Sequence, residues 1–449
     1  MSNTALKKTL TPLMLWGLGV GYVISGMYFG WNLGLAEGGT HGLAIATFFV
    51  IIMYITFTFS YTELACAMPK AGGAFVYAHK GLGKDLGFVA GMAQNIEFIF
   101  APPAIAAAIG AYMHLLYPEI PMLTFSIGAY LLFTLINVLG VYLAASFELV
   151  ITVLAVIELL IFAGVALPHV EVANLTRNAL PNGYTGALAA IPFAIWFFLA
   201  IEGIANVAEE TKNPNRSILL GFGSAIVTLV LLCLLTFYTA VGVGGWETVV
   251  YPEGSIEPSD SPLPLALGVV VAESHVLYKL LVGIGLLGLV ASFHGIILAA
   301  GRATFEFGRV GYVPRFLGRA HQRFQTPSNA LWINMGLGII ALLTGKTGEI
   351  ITIACFGALT LYIVSMLSLL SLRKKAPEMA RPYRVPFFPI FPMLALGIAT
   401  IALLSMTYYN LSLAGIFLLI MGGSYLYFYF GIRKQEHRPI EVGKVENID

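Results

Sequence analysis

Charge is what this sequence has least of: only 10% of its 449 residues are Asp, Glu, Lys or Arg, while 58% are hydrophobic. A soluble domain carries roughly 25% charged residues, so this balance excludes an ordinary soluble globule and points to lipid. The formal net charge of +1 gives no electrostatic basis for a nucleic-acid partner or an acidic substrate. Aspartate is scarcer still. Asp85, Asp260 and Asp449 are the full set, none within an apolar run, which excludes chemistry built on paired or metal-binding aspartates inside a membrane. Cys66, Cys233 and Cys355 are odd in number and widely spaced, with no CxxC pair. That argues against a disulfide framework and a zinc site and leaves them as packing residues. No HExxH, GxSxG or P-loop signature is present, so a membrane enzyme is not expected, and neither is a cofactor or metal.

What is abundant is the long apolar run. A helix crossing the hydrocarbon needs about 20 mostly apolar residues. About twelve such spans can be laid down: 11–35, 41–66, 86–115, 121–140, 144–168, 186–209, 216–244, 275–305, 328–345, 349–372, 387–409 and 411–433. Lys7 and Lys8 precede a run longer than a signal core and without a small-residue cleavage site, so that run reads as the first span. Basic residues gather in alternate connections: Lys70, Lys80, Lys84, Lys212, Arg216, Arg315, Arg319, Arg323, Arg373, Lys374, Lys375, Arg381 and Arg384, with Arg433, Lys434 and Arg438 after the last span. The opposite side offers Arg177 and Lys346. Positive residues stay inside, so both termini are expected in the cytoplasm of an inner (plasma) membrane. No separate soluble domain is expected. The longest outer connection, 246–274, has an apolar second half suited to a short helix packed against the mouth, and residues 434–449 form a polar tail.

Two spans have the composition of broken helices. Span one carries Gly19, Gly21, Gly26 and Gly30 with Ser25 at mid-membrane depth, each glycine weakening a helix by up to about 1 kcal/mol relative to alanine. Span six carries Glu202-Gly203 near its middle, where the break is expected. Lipid cannot hydrogen-bond freed backbone groups, so a broken stretch must line a cavity or be buried in protein. A small-residue packing face is the alternative for either span alone. Interruptions at matching positions of two halves point to an inverted-repeat transporter and its central site.

The stretches Tyr61–Tyr77, Glu209–Arg216, Gly301–Pro314 and Thr326–Ala330 resemble, in order, motifs of the amino acid–polyamine–organocation superfamily. That resemblance implies an all-α polytopic membrane protein with a LeuT-like 5+5 inverted repeat and two additional C-terminal helices. Repeat one would span about 11–168 and repeat two about 186–372, with the extra helices at about 387–433. Val23–Trp31, Glu97–Pro103, Phe147–Glu158, Ile191–Glu202 and Leu289–Ile297 look like the ethanolamine permease subgroup. The resemblance covers nearly the whole chain except 169–185, 246–262 and the tail. Met27 stands where some relatives carry a polar or acidic residue.

Ionisable residues inside spans are costly, roughly 2.5–3.5 kcal/mol for a charge at the bilayer centre, and mark function by default. Glu97, Glu158, Glu202 and His294 are the candidates. Glu202, at the expected break, can accept bonds from freed amides, bind a cation or carry a proton; the bland reading is an acceptor that locks the break. The resemblance turns span three, with Asn95 and Glu97, toward the substrate; an internal polar network is the alternative. Glu158 matches a position where some superfamily members carry a lysine thought to stand in for sodium, which an acid cannot do. It can bind a cation, shuttle a proton, or pair with a span-one amide. His294 can titrate near physiological pH or simply hydrogen-bond a neighbouring helix. Glu63, Glu148, Glu209, Glu210, Arg302 and Arg309 are read as cytoplasmic gate pairs or interfacial anchors.

Trp196 offers a π face to an ammonium, worth about 2 kcal/mol when desolvated; Tyr28 and Trp31 follow, with interfacial packing as their alternative. Together Ser25, Gly26, Met27, Tyr28, Asn95, Glu97, Trp196, Glu202 and His294 make the expected substrate site. Glu202, Glu158 and Glu97 are the coupling candidates. An acidic, aromatic site suits a small protonated amino alcohol, ethanolamine, imported by alternating access with a proton; Ser292 keeps sodium open as the coupling ion. The rivals are a carrier of amino acids or polyamines, and a transporter-derived sensor or channel.

Overall fold

A computed structural model describes residues 8–70, 72–139 and 144–433. The tail 434–449, with Lys434 and Arg438, and Lys7 at the other end lie outside the described residues. Among the described residues there is no strand, only helices and one isolated bridge. Among the described residues ten helices are long and apolar enough to cross a membrane, and two shorter apolar ones, Pro12–Val23 and Ser328–Leu342, stand where spans one and nine are expected. The protein is therefore an all-α polytopic membrane protein.

Span one begins at Pro12, behind Thr11, whose side chain accepts from the Met14 amide at 3.3 Å. Its first helix ends at Val23, a short turn Ser25–Tyr28 follows, and then the helix stops. Phe29 is extended and Gly30 takes φ 87°, a conformation open to glycine at no steric cost. The next helix, Trp31–Ala67, contains the end of span one and all of span two. The expected loop between them is only a kink at Gly39, φ 63°, where a side chain would collide with the Ala179 carbonyl and Pro181.

Span six is interrupted as well. Gly183–Ala189 and Ile191–Trp196 are helical, and the chain resumes as a 3₁₀ helix, Ile201–Glu210. The break covers residues 197–200 rather than Glu202-Gly203, and Ala200 holds a left-handed backbone, φ 77°. Spans three, four and five are Lys84–Leu116, Met122–Leu139 and Ala144–Ala166. Spans seven and eight are Pro214–Gly244 and Val276–Val310; ten, eleven and twelve are Thr347–Lys375, Ile390–Tyr409 and Leu411–Tyr427. The short outer helix expected in 246–274 is Pro262–Val270. Helices also fall in connections where none was expected: Ala74–Leu82, Val172–Thr176 and Trp246–Val250.

Burial sorts the spans. The apolar window of span six is wholly buried and that of span ten 83% buried, against 28% for each of the last two. Spans six and ten are thus the centre of the bundle, and eleven and twelve face lipid on most of their surface.

Candidate functional site

The two breaks pack on each other. A methyl group at Gly26 would meet the Trp196 carbonyl and come within 3.0 Å of Phe197 Cα. The Trp196 ring lies edge-on to Phe29 at 5.3 Å and against Gly30. Backbone carbonyls around the breaks are satisfied by side chains. Ser292 Oγ donates to Tyr22 O, Trp31 Nε1 to Met27 O (3.1 Å), Tyr112 Oη to Tyr28 O (3.0 Å) and Tyr54 Oη to Ile195 O (3.4 Å). Broken helices persist at membrane depth only where such partners exist.

Beside the break in span six sit two carboxyl groups. Glu97 comes from span three and Glu202 from the first turn after Ala200, and both are fully buried. Gly357 lets span ten approach Glu97, since a methyl group there would lie 2.8 Å from the Glu97 amide nitrogen and 2.6 Å from the Ala93 carbonyl. From the same span Tyr362 Oη donates to Glu202 Oε2 at 3.0 Å, and the Tyr362 and Tyr54 hydroxyls are 3.1 Å apart. Glu97 and Glu202 are neighbours close enough for the charge of each to act on the other. Both Glu97 oxygens and Glu202 Oε1 lack a well-aligned donor among the described residues, the amides nearest them being those of Ala200 and of Glu202 itself. Two ionised carboxylates only accept, and they repel strongly in a dry interior. A shared proton or a bound cation is what such a pair needs.

The remaining candidates fall into separate clusters. Tyr28 Oη donates to Glu158 Oε2 (2.7 Å) and to Ala155 O (2.9 Å), beneath a void lined also by Tyr112 and by Leu263 and Leu267 of the outer helix. Ser25 and Ser292 hydroxyls meet at 2.8 Å. Asn95 turns away from Glu97: its amide donates to Gly91 O and its oxygen accepts from Thr304 Oγ1 at 2.7 Å. Met27 is fully buried and apolar. Trp196 Nε1 has no acceptor among the described residues.

His294 lies 3.4 Å, Nδ1 to Oε2, from Glu148, both side chains 2% exposed. Glu148 is therefore not a residue of the cytoplasmic rim, as its position near the start of span five suggests, but a buried partner of span eight. Of the other expected gate residues Glu63 is buried as well, while the rest form more exposed pairs: Glu210 with Arg302 at 3.0 Å, Glu209 with Lys70 at 3.7 Å, and Arg309 with Glu306 at 2.8 Å. Sequence reasoning missed Tyr54 and Tyr362. Their signal was depth, because tyrosine in a membrane protein collects at the interfaces, and both stand well inside their spans.

Among the described residues Glu63, Glu97, Glu148, Glu158, Glu202 and His294 are buried outright, and the Arg381 side chain beside Glu63 is 2% exposed. Glu63 is held by Arg373 and Arg381, and Glu148 by His294. Glu97, Glu158 and Glu202 have no basic partner among the described residues. The interior is acidic and aromatic, with positive charge left to be supplied.

Over residues 10–432 the chain matches the family described as amino acid permease. It is 27% identical to an uncharacterised transporter of Rhizobium meliloti, across 86% of this chain and 83% of that one. It is 25% identical to the methylthioribose transporter of Bacillus subtilis and 25% identical to the low-affinity putrescine importer PlaP of Escherichia coli, over 88% of both partners in each case. Ten membrane-length helices and a match over nearly the full chain agree, and the protein belongs to the amino acid permease family of membrane transporters.

Proposed function

We propose that this protein is a secondary carrier that imports ethanolamine, a small protonated amino alcohol, across the plasma membrane by alternating access with a coupled proton. The observation that carries the reading is the set of buried carboxyl groups without a basic partner, above all Glu97 and Glu202 beside the packed breaks of spans one and six. An ammonium between those carboxyls gains charge-assisted hydrogen bonds that offset its desolvation. The hydroxyl of the cargo is served by Tyr362, Ser25 or freed backbone. A carboxylate-bearing amino acid would place a third negative charge beside the pair, which disfavours that class. Glu202, Glu97 and Glu158 are the coupling residues of this reading; Gly26, Met27, Tyr28 and Trp196 shape or support the cavity around them, while Asn95 and His294 face other partners.

The matching interruptions support two inverted repeats, about 11–168 and 186–372, with 387–433 outside them. The basic bias of alternate connections supports cytoplasmic termini and a cytoplasmic tail. A second reading, a diamine carrier, is favoured by two features: two neighbouring carboxyls match two ammonium groups without any proton, and the putrescine importer is among the relatives.

The test is uptake of labelled ethanolamine into liposomes under an inward proton gradient, then under sodium alone, with choline, serine and putrescine as competitors. Accumulation driven by protons and blocked only by amino alcohols supports the reading. Stronger block by putrescine selects the diamine, block by serine selects an amino acid, and a cargo response without accumulation selects a sensor or channel.

A further inference from the structure

The pair Glu148–His294 belongs to none of the clusters around the cargo. Span five contributes Glu148 and span eight His294, and the rings of Phe133 and Phe147 flank the imidazole at 6.2 Å each. Glu148 Oε2 faces His294, while Oε1 has no donor among the described residues. That free oxygen is aimed at span one: a methyl group at Gly21 would come 2.5 Å from it and 2.7 Å from Thr152 Oγ1. Thr152 Oγ1 in turn donates to Gly17 O at 3.2 Å. The first half of span one is thus docked on the face of span five that carries the pair.

One residue further along, the Tyr22 ring is wedged between two glycines. A methyl group at Gly295, next to His294, would come 2.5 Å from Tyr22 Cδ1; one at Gly203, next to Glu202, would come 2.9 Å from Tyr22 Cδ2. The same ring therefore touches the neighbour of the histidine on one edge and the neighbour of the cargo-site glutamate on the other. The ionisable groups facing this region are Tyr22 from span one and, beyond it, Arg302 of span eight with its partner Glu210. Span four presents the Phe133 ring.

We propose that Glu148 and His294 form a second proton-binding pair, separate from the cargo carboxyls, and that its occupancy is passed to span six by the Tyr22 wedge. With one proton the pair is an internally neutral imidazolium–carboxylate. Without it the pair bears one negative charge in an apolar setting, with one oxygen already unserved, which is relieved by span one moving off and admitting water. The proton enters from one aqueous side and leaves to the other, so charge and atoms balance with no further reactant. Because Tyr22 is confined by Gly203 and Gly295, movement of span one changes the contact beside Glu202. This inference rests on the reading of the chain as a proton-driven carrier.

The full chain would be reconstituted as wild type, Glu148→Gln and His294→Gln. Proton-driven accumulation of labelled ethanolamine would be compared with counterflow at equal pH on both sides, from about pH 5.5 to about pH 8. We expect accumulation to fall at least about tenfold in both variants, while counterflow stays within about threefold of wild type and loses its pH dependence. Accumulation and pH profile like wild type would overturn the proposal, as would a loss of counterflow and accumulation in parallel with the pH profile of the residue intact. pH-difference infrared spectra of the purified proteins need no cargo: carboxyl and imidazole bands present in wild type and absent from both variants support the pair, and unchanged bands sink it. A wild type inert toward ethanolamine removes the cargo reading alone, and the infrared titration still decides the pair.

Discussion

Among the described residues Tyr362 is the one hydroxyl that donates to Glu202, so Tyr362→Phe removes the donor from a second carboxyl oxygen of that residue. Losing a hydrogen bond to a buried charged group costs about 1.5–3 kcal/mol. We expect the KM for cargo to rise about tenfold or more with kcat less affected, read from initial uptake rates. Gly357→Ala acts on Glu97 from the other side by pushing backbone against backbone. It should lower uptake at least as far, with a loss of thermal stability of about 1–3 kcal/mol. Residues of this kind divide cleanly by legibility. Glu97, Glu158 and Glu202 were visible because a carboxyl in an apolar run needs a reason. Their grouping was not, because Asn95 and Glu97, two residues apart on one helix, point to different neighbours, and only the crossing of spans three, six, eight and ten says which.

At the scale of elements, both broken spans were legible, but only one break was placed correctly. Span one announces its interruption through glycines at positions where φ or close approach demands them, as at Gly30 and Gly26. Span six breaks across Phe197 and Phe198 to a left-handed Ala200, residues with no turn signal, so its position follows from tertiary packing against span one. Gly26→Ala would drive a methyl group into the Trp196 carbonyl, and we expect it to reduce uptake sharply while leaving the protein in the membrane, as followed by expression and transport together. A second element device is the clasp at Glu63. Its carboxylate accepts from Arg373 at 2.7 Å and from the Val385 amide at 2.8 Å, while Arg381 reaches it at 3.3 Å and donates to the carbonyls of Leu372 and Ala376 at the end of span ten. Glu63→Ala leaves the buried Arg381 side chain uncompensated. A loss of about 3–5 kcal/mol is expected, seen as a lowered unfolding midpoint in detergent, and Glu63→Gln should recover part of it.

At the scale of the molecule, the centre is closed from both ends. On one side the amides of Thr9 and Leu10 donate to Glu210 O at 2.9 Å, and Lys212 N returns a bond to Leu10 O. On the other, the long connection lies across span one and span ten. Asn32 Nδ2 donates to Ser259 O at 2.7 Å, and Thr347 Oγ1 donates to Asp260 Oδ2 at 2.8 Å. Burial under this lid pushes the Asp260 carboxyl up to about 6, partly offset by the Thr347 bond. The sign follows from linkage: a group whose value is higher when folded and closed favours that state below its unfolded value, and the contribution is lost as pH rises through the folded one. The closed form should therefore be most favoured near pH 4, lose that advantage up to about pH 6, and bear a constant cost above it. In the purified protein the unfolding midpoint should carry a component that falls across this window, and Asp260→Asn, which cannot ionise, should remove that component. In the proposed orientation the same lid sets external access. A cysteine placed beside Asn32 should be labelled faster from outside as external pH rises from about 4 to about 6, once the rate is divided by that of a free thiol at the same pH, and this corrected rate should be pH-independent in the Asp260→Asn background. Equal labelling across that range in the parent protein would mean that the lid opens by some route that does not involve Asp260.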